Sequence, residues 1–291
     1  PTPVYTDALQ NPRHLQLSPD GLRVVLITGA SGLGEIWIYP IDGRAPTPLR
    51  QEGQNGFPVW THDGTRVVFA SELNTTGDLV WLPSDGSSAE PQPLLEGPDR
   101  YYPSAWVPQR SELIFGQDTP SGETRWDLRR LDSDGQVEVV VQSRGEDMNA
   151  QISPDGRFVA YESGVNDRRE VWVRPYPDGA PIRISNGGGE HPRWSHDGAE
   201  LFFVEDSSLN RGRMMVAAVD TDADFRYDTP ELLFEERFDF GEDFPYVVLP
   251  DGDFIVQSGS FRLDDSESIL GDHLVAILGL GEELTRIAPP E

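Results

Sequence analysis

Ser195-His196-Asp197 puts a hydroxyl, an imidazole and a carboxylate in consecutive positions. A nucleophilic relay needs the serine and the acid on opposite sides of the imidazole, which three adjacent residues cannot supply. No Gly-x-Ser-x-Gly elbow occurs elsewhere in the chain. Thr28-Gly-Ala-Ser-Gly-Leu-Gly34 has the look of a dinucleotide-binding turn, one residue short of the usual spacing. Glu35-Ile-Trp-Ile-Tyr39 follows it and reads as a strand. A pyrophosphate would lack the helix N-terminus that normally holds it, so the run is a Gly-rich loop between strands.

Five histidines are candidate ligands or bases: His14, His62, His191, His196 and His273. His62 and His196 fall in turns. His14 and His191 each stand four residues before the Ser of a repeated turn, on or near a strand, and make two points of an incomplete imidazole metal site. Asp220-Thr-Asp-Ala-Asp224, with Asp228 and Glu231, follows the ligand spacing of a calcium loop. Phe225 stands where that loop requires glycine. Two readings stay open: a Ca2+ or other divalent cation on Asp220, Asp222 and Asp224, or an acidic strand connector with no cofactor.

Composition narrows the partners. Fifty acidic residues face 23 basic ones, every base is arginine, and the net charge is −27. Such a field repels nucleic acid and anionic lipid and favours cations or basic partners; solubility or salt adaptation explains it equally well. The chain has no cysteine, which excludes disulfides, thiol catalysis and Cys-ligated metal centres. No apolar run nears the ~18 residues of a membrane helix, so direct membrane insertion is not expected. No stretch reads as a signal peptide. The opening Pro-Thr-Pro lacks Met and suggests a processed protein or an excised domain.

The elements that would position these groups come from a repeat. Leu17-Ser-Pro-Asp-Gly21 returns as Trp60-Thr-His-Asp-Gly64, Ile152-Ser-Pro-Asp-Gly156, Trp194-Ser-His-Asp-Gly198 and Leu249-Pro-Asp-Gly252, with Trp106-Val-Pro-Gln-Arg110 as a degenerate copy. The marker residues Asp20, Asp63, Gln109, Asp155, Asp197 and Asp251 are spaced 43, 46, 46, 42 and 54 apart. Spacings of about 40–50 suit four-stranded propeller blades. Asp-Gly between apolar runs signals a hairpin, since Gly takes positive φ and Asp bonds nearby backbone. Second strands are expected at 23–28, 66–70, 112–116, 157–162, 200–204 and 253–257, and third and fourth strands follow in most units. The last unit has no clear fourth strand; residues 3–6 would supply it and close the ring.

The expected fold is therefore all-β: one six-bladed β-propeller of four-stranded antiparallel blades over residues 1–291. The blades fall at 7–50, 51–95, 96–142, 143–186, 187–235 and 236–279, with a tail at 280–291. The recurring markers resemble TolB-type propellers, whose WD-like repeats carry Ser-Pro-Asp-Gly. Gly189-Glu-His-Pro-Arg-Trp-Ser-His-Asp-Gly198 and the run on to Pro230-Glu-Leu-Leu-Phe234 are similar to propellers attached outside the membrane to some bacterial Ser/Thr kinases. So is the ending Leu274-Val-Ala-Ile-Leu to Arg286. The resemblance implies an extracytoplasmic location, periplasmic or at the cell surface. It also implies a non-catalytic accessory, sensor or scaffold role with a protein partner.

The repeat also sorts the acids. Those in marker turns, and Asp42, Asp85, Asp134 and Asp178, are explained by turn chemistry. The opposite face carries Glu52, Asp99, Glu146, Asp147, Glu190, Glu242 and Asp243 just before the first strands. A long loop at 258–272 adds Asp264, Asp265 and Glu267. No turn rule asks for Gly145-Glu-Asp147 or Gly241-Glu-Asp243. With Phe57, Tyr101, Tyr102, His191 and Phe244 they would ring the channel mouth and bind a basic protein segment, a cationic ligand or a metal ion. The competing readings are a structural subunit of a larger membrane-associated or extracellular assembly, and a metal-dependent lyase or hydrolase in the channel.

Overall fold

The computed structural model describes residues 2–5, 12–29, 34–71, 77–87, 90–119, 124, 126–165, 168–205, 212–222, 224–236, 246–258 and 273–277. The side chains of 2–5, 51–52, 165, 236, 258 and 273–277 lie outside that description. Every described element is a strand, and every pairing is antiparallel.

The chain opens with β1 (Thr2–Tyr5), β2 (Arg13–Leu17), β3 (Arg23–Thr28), β4 (Gly34–Pro40) and β5 (Thr47–Trp60). Next come β6 (Arg66–Ser71), β7 (Asp78–Pro83) and β8 (Gln92–Leu95), and β2 through β8 form a seven-stranded sheet. β5 serves twice. Its first half pairs with β4 as an outer strand, and its second half pairs with β6 as an inner one. Two four-stranded sheets follow. One holds β9 (Arg100–Trp106), β10 (Leu113–Asp118), β11 (Trp126–Leu131) and β12 (Val137–Val141). The other holds β13 (Glu146–Ile152), β14 (Phe158–Val165), β15 (Arg168–Pro175) and β16 (Ile182–Arg183).

The next sheet contains β17 (Glu190–Trp194), β18 (Glu200–Glu205), β19 (Gly212–Asp220), β20 (Arg226–Tyr227) and β21 (Glu231–Glu236). The last contains β22 (Tyr246–Val248), β23 (Phe254–Ser258) and β24 (His273–Ile277). β1 completes it as a fourth strand, with Thr2 opposite Ala276. The N-terminal strand thus stands where the sequence expects it.

Each marker turn is a small hydrogen-bond machine. In the second, Asp63 Oδ1 accepts from Thr61 Oγ1 at 2.6 Å, Thr65 N at 3.0 Å and Thr65 Oγ1 at 2.8 Å. The Thr61 hydroxyl in turn accepts Arg66 N at 3.1 Å. These bonds, led by the Thr61 hydroxyl, pull the Asp63 carboxyl down to about 2. The following glycines, such as Gly64 with φ 66°, take the left-handed backbone that the turn requires. The degenerate third copy keeps the backbone pairing Val107 N to Glu112 O at 2.9 Å. Its left-handed residue is Gln109, φ 58°, and its Arg110 N to Val107 O bond stretches to 3.3 Å. Arg110 stands where the other turns have glycine, so the left-handed residue moves back to Gln109 and the closing bond lengthens.

Apolar faces of successive repeat units meet in cores. Val25, Ile27 and Ile36 pack with Val67 and Phe69; Val68 and Leu79 with Leu113 and Phe115. Ile114 and Leu128 pack with Val159 and Tyr161, Ala160 and Val171 with Leu201 and Phe203, and Phe202 and Met214 with Tyr246 and Phe254. A further cluster joins the last sheet to the first through Val247, Leu249 and Ile255 against Leu15, Val24 and Leu26. Indole donors stitch neighbouring inner strands: Trp60 Nε1 to Gln16 O at 3.2 Å, and Trp194 Nε1 to Gln151 O at 3.1 Å.

Replacing Asp63 with Ala removes the acceptor of three bonds and should cost about 1–2 kcal/mol, lowering Tm by roughly 2–6 °C. The depressed carboxyl stabilises the fold above its unfolded value and loses that contribution as pH falls toward about 2. The wild-type advantage over D63A, read by thermal unfolding, should therefore shrink in strong acid.

Candidate functional site

The first strand of each unit is the innermost, and in a propeller these strands surround the channel. Six residues before the successive markers stand His14, Phe57, Pro103, Asn149, His191 and Pro245. His14, Phe57, Asn149 and His191 have φ of 53°, 56°, 54° and 56°. Positive φ in bulky non-glycine residues costs energy and is held only where surroundings impose it. At each of the four, the ladder to the second strand slips: between Arg13 and Gln16, Gly56 and Val59, Met148 and Gln151, and Glu190 and Arg193. These are bulges, which bend a strand and redirect its side chains. Pro103 cannot take positive φ; there the slip falls between the partners of Ile114 and Phe115.

The bulges gather two kinds of lining. On one side, rings from β2, β5, β9 and β11 stack in an arc. His14 lies 4.1 Å from Phe57, Phe57 meets Tyr102 edge-on at 4.9 Å, and Tyr102 meets Trp126 at 4.7 Å, centroid to centroid. His14 is buried, whereas Phe57, Tyr102 and Trp126 are half-buried. On the other side is Glu162, fully buried on β14. The equivalent positions, seven after each marker, hold Ile27, Ala70, Gly116, Val204 and Ser258.

Glu162 Oε1 accepts from His191 N at 2.6 Å and from Asn149 Nδ2 at 2.7 Å. One carboxylate thus ties the bulges of two neighbouring inner strands. The His191 Nδ1 atom lies 3.7 Å from the same oxygen. Oε2 has no hydrogen-bond donor and lies 3.8 Å from Arg169 Nη1. Burial first, then the charge of Glu190, push the Glu162 carboxyl up to about 7, against the opposing pull of Arg169 and the two bonds. Next to it, buried Arg193 donates to Leu15 O at 3.2 Å and Tyr246 O at 3.5 Å, reaching both the first and last innermost strands. Burial draws its guanidinium down to about 10. The Tyr246 hydroxyl donates to His191 O at 2.7 Å.

The residues singled out from sequence separate into several environments. Tyr102 joins the aromatic arc, whereas Tyr101 faces the core with its ring 5.7 Å from Phe115. Asp99 accepts from Gln117 Nε2 at 2.6 Å. Glu146 stays at the rim, its Oε2 3.7 Å from Arg169 Nη2. Glu190 is half-buried and His191 fully buried.

Asp147 corrects the expectation that no local structure asks for the Gly-Glu-Asp acids. It is fully buried and accepts from Ser143 N at 2.7 Å, Ser143 Oγ at 2.9 Å and Ser163 Oγ at 2.7 Å. Burial raises its carboxyl in spite of those bonds. It braces the entering loop; buried Asn55, at the same position of another unit, instead donates to Gly34 O on β4 at 3.0 Å. Glu242, Asp243, Phe244, Asp264, Asp265 and Glu267 lie outside the described residues, as does the Glu52 side chain.

The acidic run folds as a connector. Asp220 Oδ1 accepts Asp222 N at 2.9 Å, and Arg157 Nη1 donates to the carbonyls of Thr221 and Asp222. Phe225 is buried 5.3 Å from the Phe158 ring. The run is thus tied down by a guanidinium and a buried ring, as a strand connector is. Among the described residues, no group of three or more His, Asp or Glu is placed to hold a metal, Asp220, Asp222 and Asp224 included. The Ser195 hydroxyl is used by its turn, donating to Asp197 at 2.6 Å.

No family profile matches the chain. The Tol-Pal system protein TolB of Anaeromyxobacter dehalogenans is 32% identical over 71 residues, 24% of this chain and 16% of that protein. The match thus spans about a sixth of that relative's length. A solved protein assigned as TolB from Agrobacterium tumefaciens shares 19% identity over 78% of this chain and 81% of its own, with a TM-score of 0.62. TolB from Acinetobacter baumannii gives 14%, 92%, 63% and 0.61 for the same measures. The fold is that of a TolB-type β-propeller. Enzymes share it too: a puromycin-hydrolyzing peptidase of Mycobacterium tuberculosis matches at 18% identity over 96% of this chain and 48% of its own, with a TM-score of 0.60. An oligogalacturonate lyase of Vibrio parahaemolyticus matches at 14% over 91% and 75%, with a TM-score of 0.56. Among the described residues, no helix is long and apolar enough to cross a membrane.

A carboxyl with a higher folded than unfolded pKa stabilises the fold below its unfolded value, and that contribution is lost as pH rises through about 7. Glu162→Gln keeps an acceptor for Asn149 and His191 but cannot ionise. It should melt roughly 3–6 °C above wild type at pH 8, with the gap closing toward pH 5. Equal melting curves at pH 8 would show that burial does not strain this carboxylate.

Proposed function

We propose that the chain is a non-catalytic, extracytoplasmic six-bladed propeller that binds a basic segment of a protein partner at the acidic, aromatic rim of its innermost strands. The observation that carries this reading is the shared rim itself. Half-buried Phe57, Tyr102 and Trp126 offer ring faces, while Glu146 and Glu190 stand at the starts of β13 and β17 at the same end of their sheets. Ring faces attract cations, carboxylates attract cations, and a net charge of −27 steers them in.

Several features support six blades in a closed ring. β5 divides into an outer and an inner strand, which splits the seven-stranded sheet into two units. The apolar cluster of Val247, Leu249, Leu15 and Leu26 joins last sheet to first. Arg193 spans from the fifth inner strand to the first and last, and β1 completes the final sheet. Likeness to TolB supports the extracytoplasmic location and a partner in an envelope assembly. The peptidase and the lyase keep a channel enzyme as the second reading, on fold likeness alone.

The reading is tested by immobilising the chain, capturing partners from a native envelope extract, and comparing wild type with the Glu146→Gln, Glu190→Gln double variant. Removing two rim charges should weaken the captured partner by roughly 2- to 20-fold, and added salt should weaken wild type in the same way. Equal capture by both proteins at low and high salt would overturn the proposal.

A further inference from the structure

The guanidinium of Arg169 lies between two carboxylates that belong to different worlds. Nη2 is 3.7 Å from Oε2 of Glu146, whose side chain is 43% exposed at the rim. Nη1 is 3.8 Å from Oε2 of Glu162, whose side chain is fully buried. Both separations exceed hydrogen-bond length, so the cation is shared and committed to neither. We infer that partner binding at this rim is proton-linked: buried Glu162 and exposed Glu146 compete for Arg169, so ionising Glu162 draws the cation inward and frees Glu146 for a basic partner. The inference rests on the proposed function and adds its regulation.

The charge balance follows from the three groups. With Glu162 ionised, the triad carries one net negative charge, and the exposed end of it is Glu146. With Glu162 protonated, Arg169 has one anionic partner left, and the Glu146–Arg169 pair is neutral toward an incoming cation. By reciprocity, a basic side chain docking on Glu146 displaces Arg169 toward Glu162, favours its ionised form and releases a proton to solvent.

Other charged groups face Glu162 without breaking this logic. β17 brings Glu190, His191 and Arg193, and β22 brings Tyr246. β13 brings neutral Asn149. Arg193 is bonded to the carbonyls of Leu15 and Tyr246, so it is held on the inner side. The neighbouring Arg168 pairs with Glu170 at 3.4 Å. Arg169 is the cation placed to move between rim and interior. Its backbone is fixed opposite Gly164 in the β14–β15 ladder, so only the side chain need shift. Burial raises the Glu162 carboxyl into the range where such a proton is exchanged near neutral pH.

A hexa-arginine peptide serves as the probe, with binding to wild type and Glu162→Gln measured by calorimetry at pH 5.5, 7.0 and 8.5 and constant ionic strength. The two proteins should bind alike at pH 5.5, where wild-type Glu162 is protonated. At pH 8.5 wild type should bind about two- to five-fold more tightly, the worth of one exposed charge. At pH 7.0, wild type should also release a proton on binding, seen as a buffer-dependent enthalpy that the variant lacks. Parallel pH profiles for the two proteins would overturn the inference. If the probe binds neither protein at any pH, the basic-partner reading itself fails. The competition is then judged alone by carboxyl-carbon NMR: the Glu146 signal should report the Glu162 titration in wild type and lose it in Glu162→Gln. No such change would overturn the relay.

Discussion

In five of the described units a bulge breaks the ladder between the inner strand and its second strand. In four of them the break falls at one residue, six before the marker, which adopts left-handed backbone without being glycine, and Pro103 stands there in the fifth. Each such residue costs on the order of 1–3 kcal/mol, and each visible one is held by something specific. His14 and Phe57 hold one another by ring contact at 4.1 Å. Asn149 and His191 are both tied to Glu162. The lining of the channel is thus a consequence of how four strained positions are stabilised. Its two characters, aromatic and ionic, are two solutions to the same backbone problem.

The same chemistry is used with opposite sign at the marker turns and at Glu162. Marker carboxylates sit near water with hydroxyl and amide donors around them, and Asp63 is held at about 2. Glu162 sits in the interior with donors on one oxygen only, and is held at about 7. Acid therefore weakens the turns, and base weakens the channel wall. Between those limits the fold keeps both sets content, and the channel wall retains a titratable group close to neutrality.

Much of the architecture is legible in the sequence because turn chemistry is local. Asp-Gly after Ser-Pro or Thr-His locates the hairpins, and the second strand at Arg23–Thr28 matches its expected limits. The site is less legible, for reasons of strand geometry. Tyr101 and Tyr102 are adjacent, yet strand alternation sends one to the core and the other to the arc. Asp147 looks like a loop acid free to bind a partner, but it is the second residue of β13, with its side chain turned inward to accept from Ser143 and Ser163. Glu162 hides in the apolar second strand Phe158–Val165. Its signal was comparative: aligning the units on their markers leaves it as the lone acid among Ile27, Ala70, Gly116, Val204 and Ser258. The positive φ at His14, Phe57, Asn149 and His191 carries no glycine to announce it.

Glu162 holds two inner strands together, and amide exchange at His191 reads that contact directly. Its N–H donates to Glu162 Oε1 at 2.6 Å, and this bond should protect it in wild type and in Glu162→Gln. In Glu162→Ala the same amide should exchange about tenfold faster or more, while Gly198 N, bonded to Ser195 O in the hairpin turn, keeps its protection. Equal protection of His191 in all three proteins would contradict the claim that this carboxylate builds the channel wall.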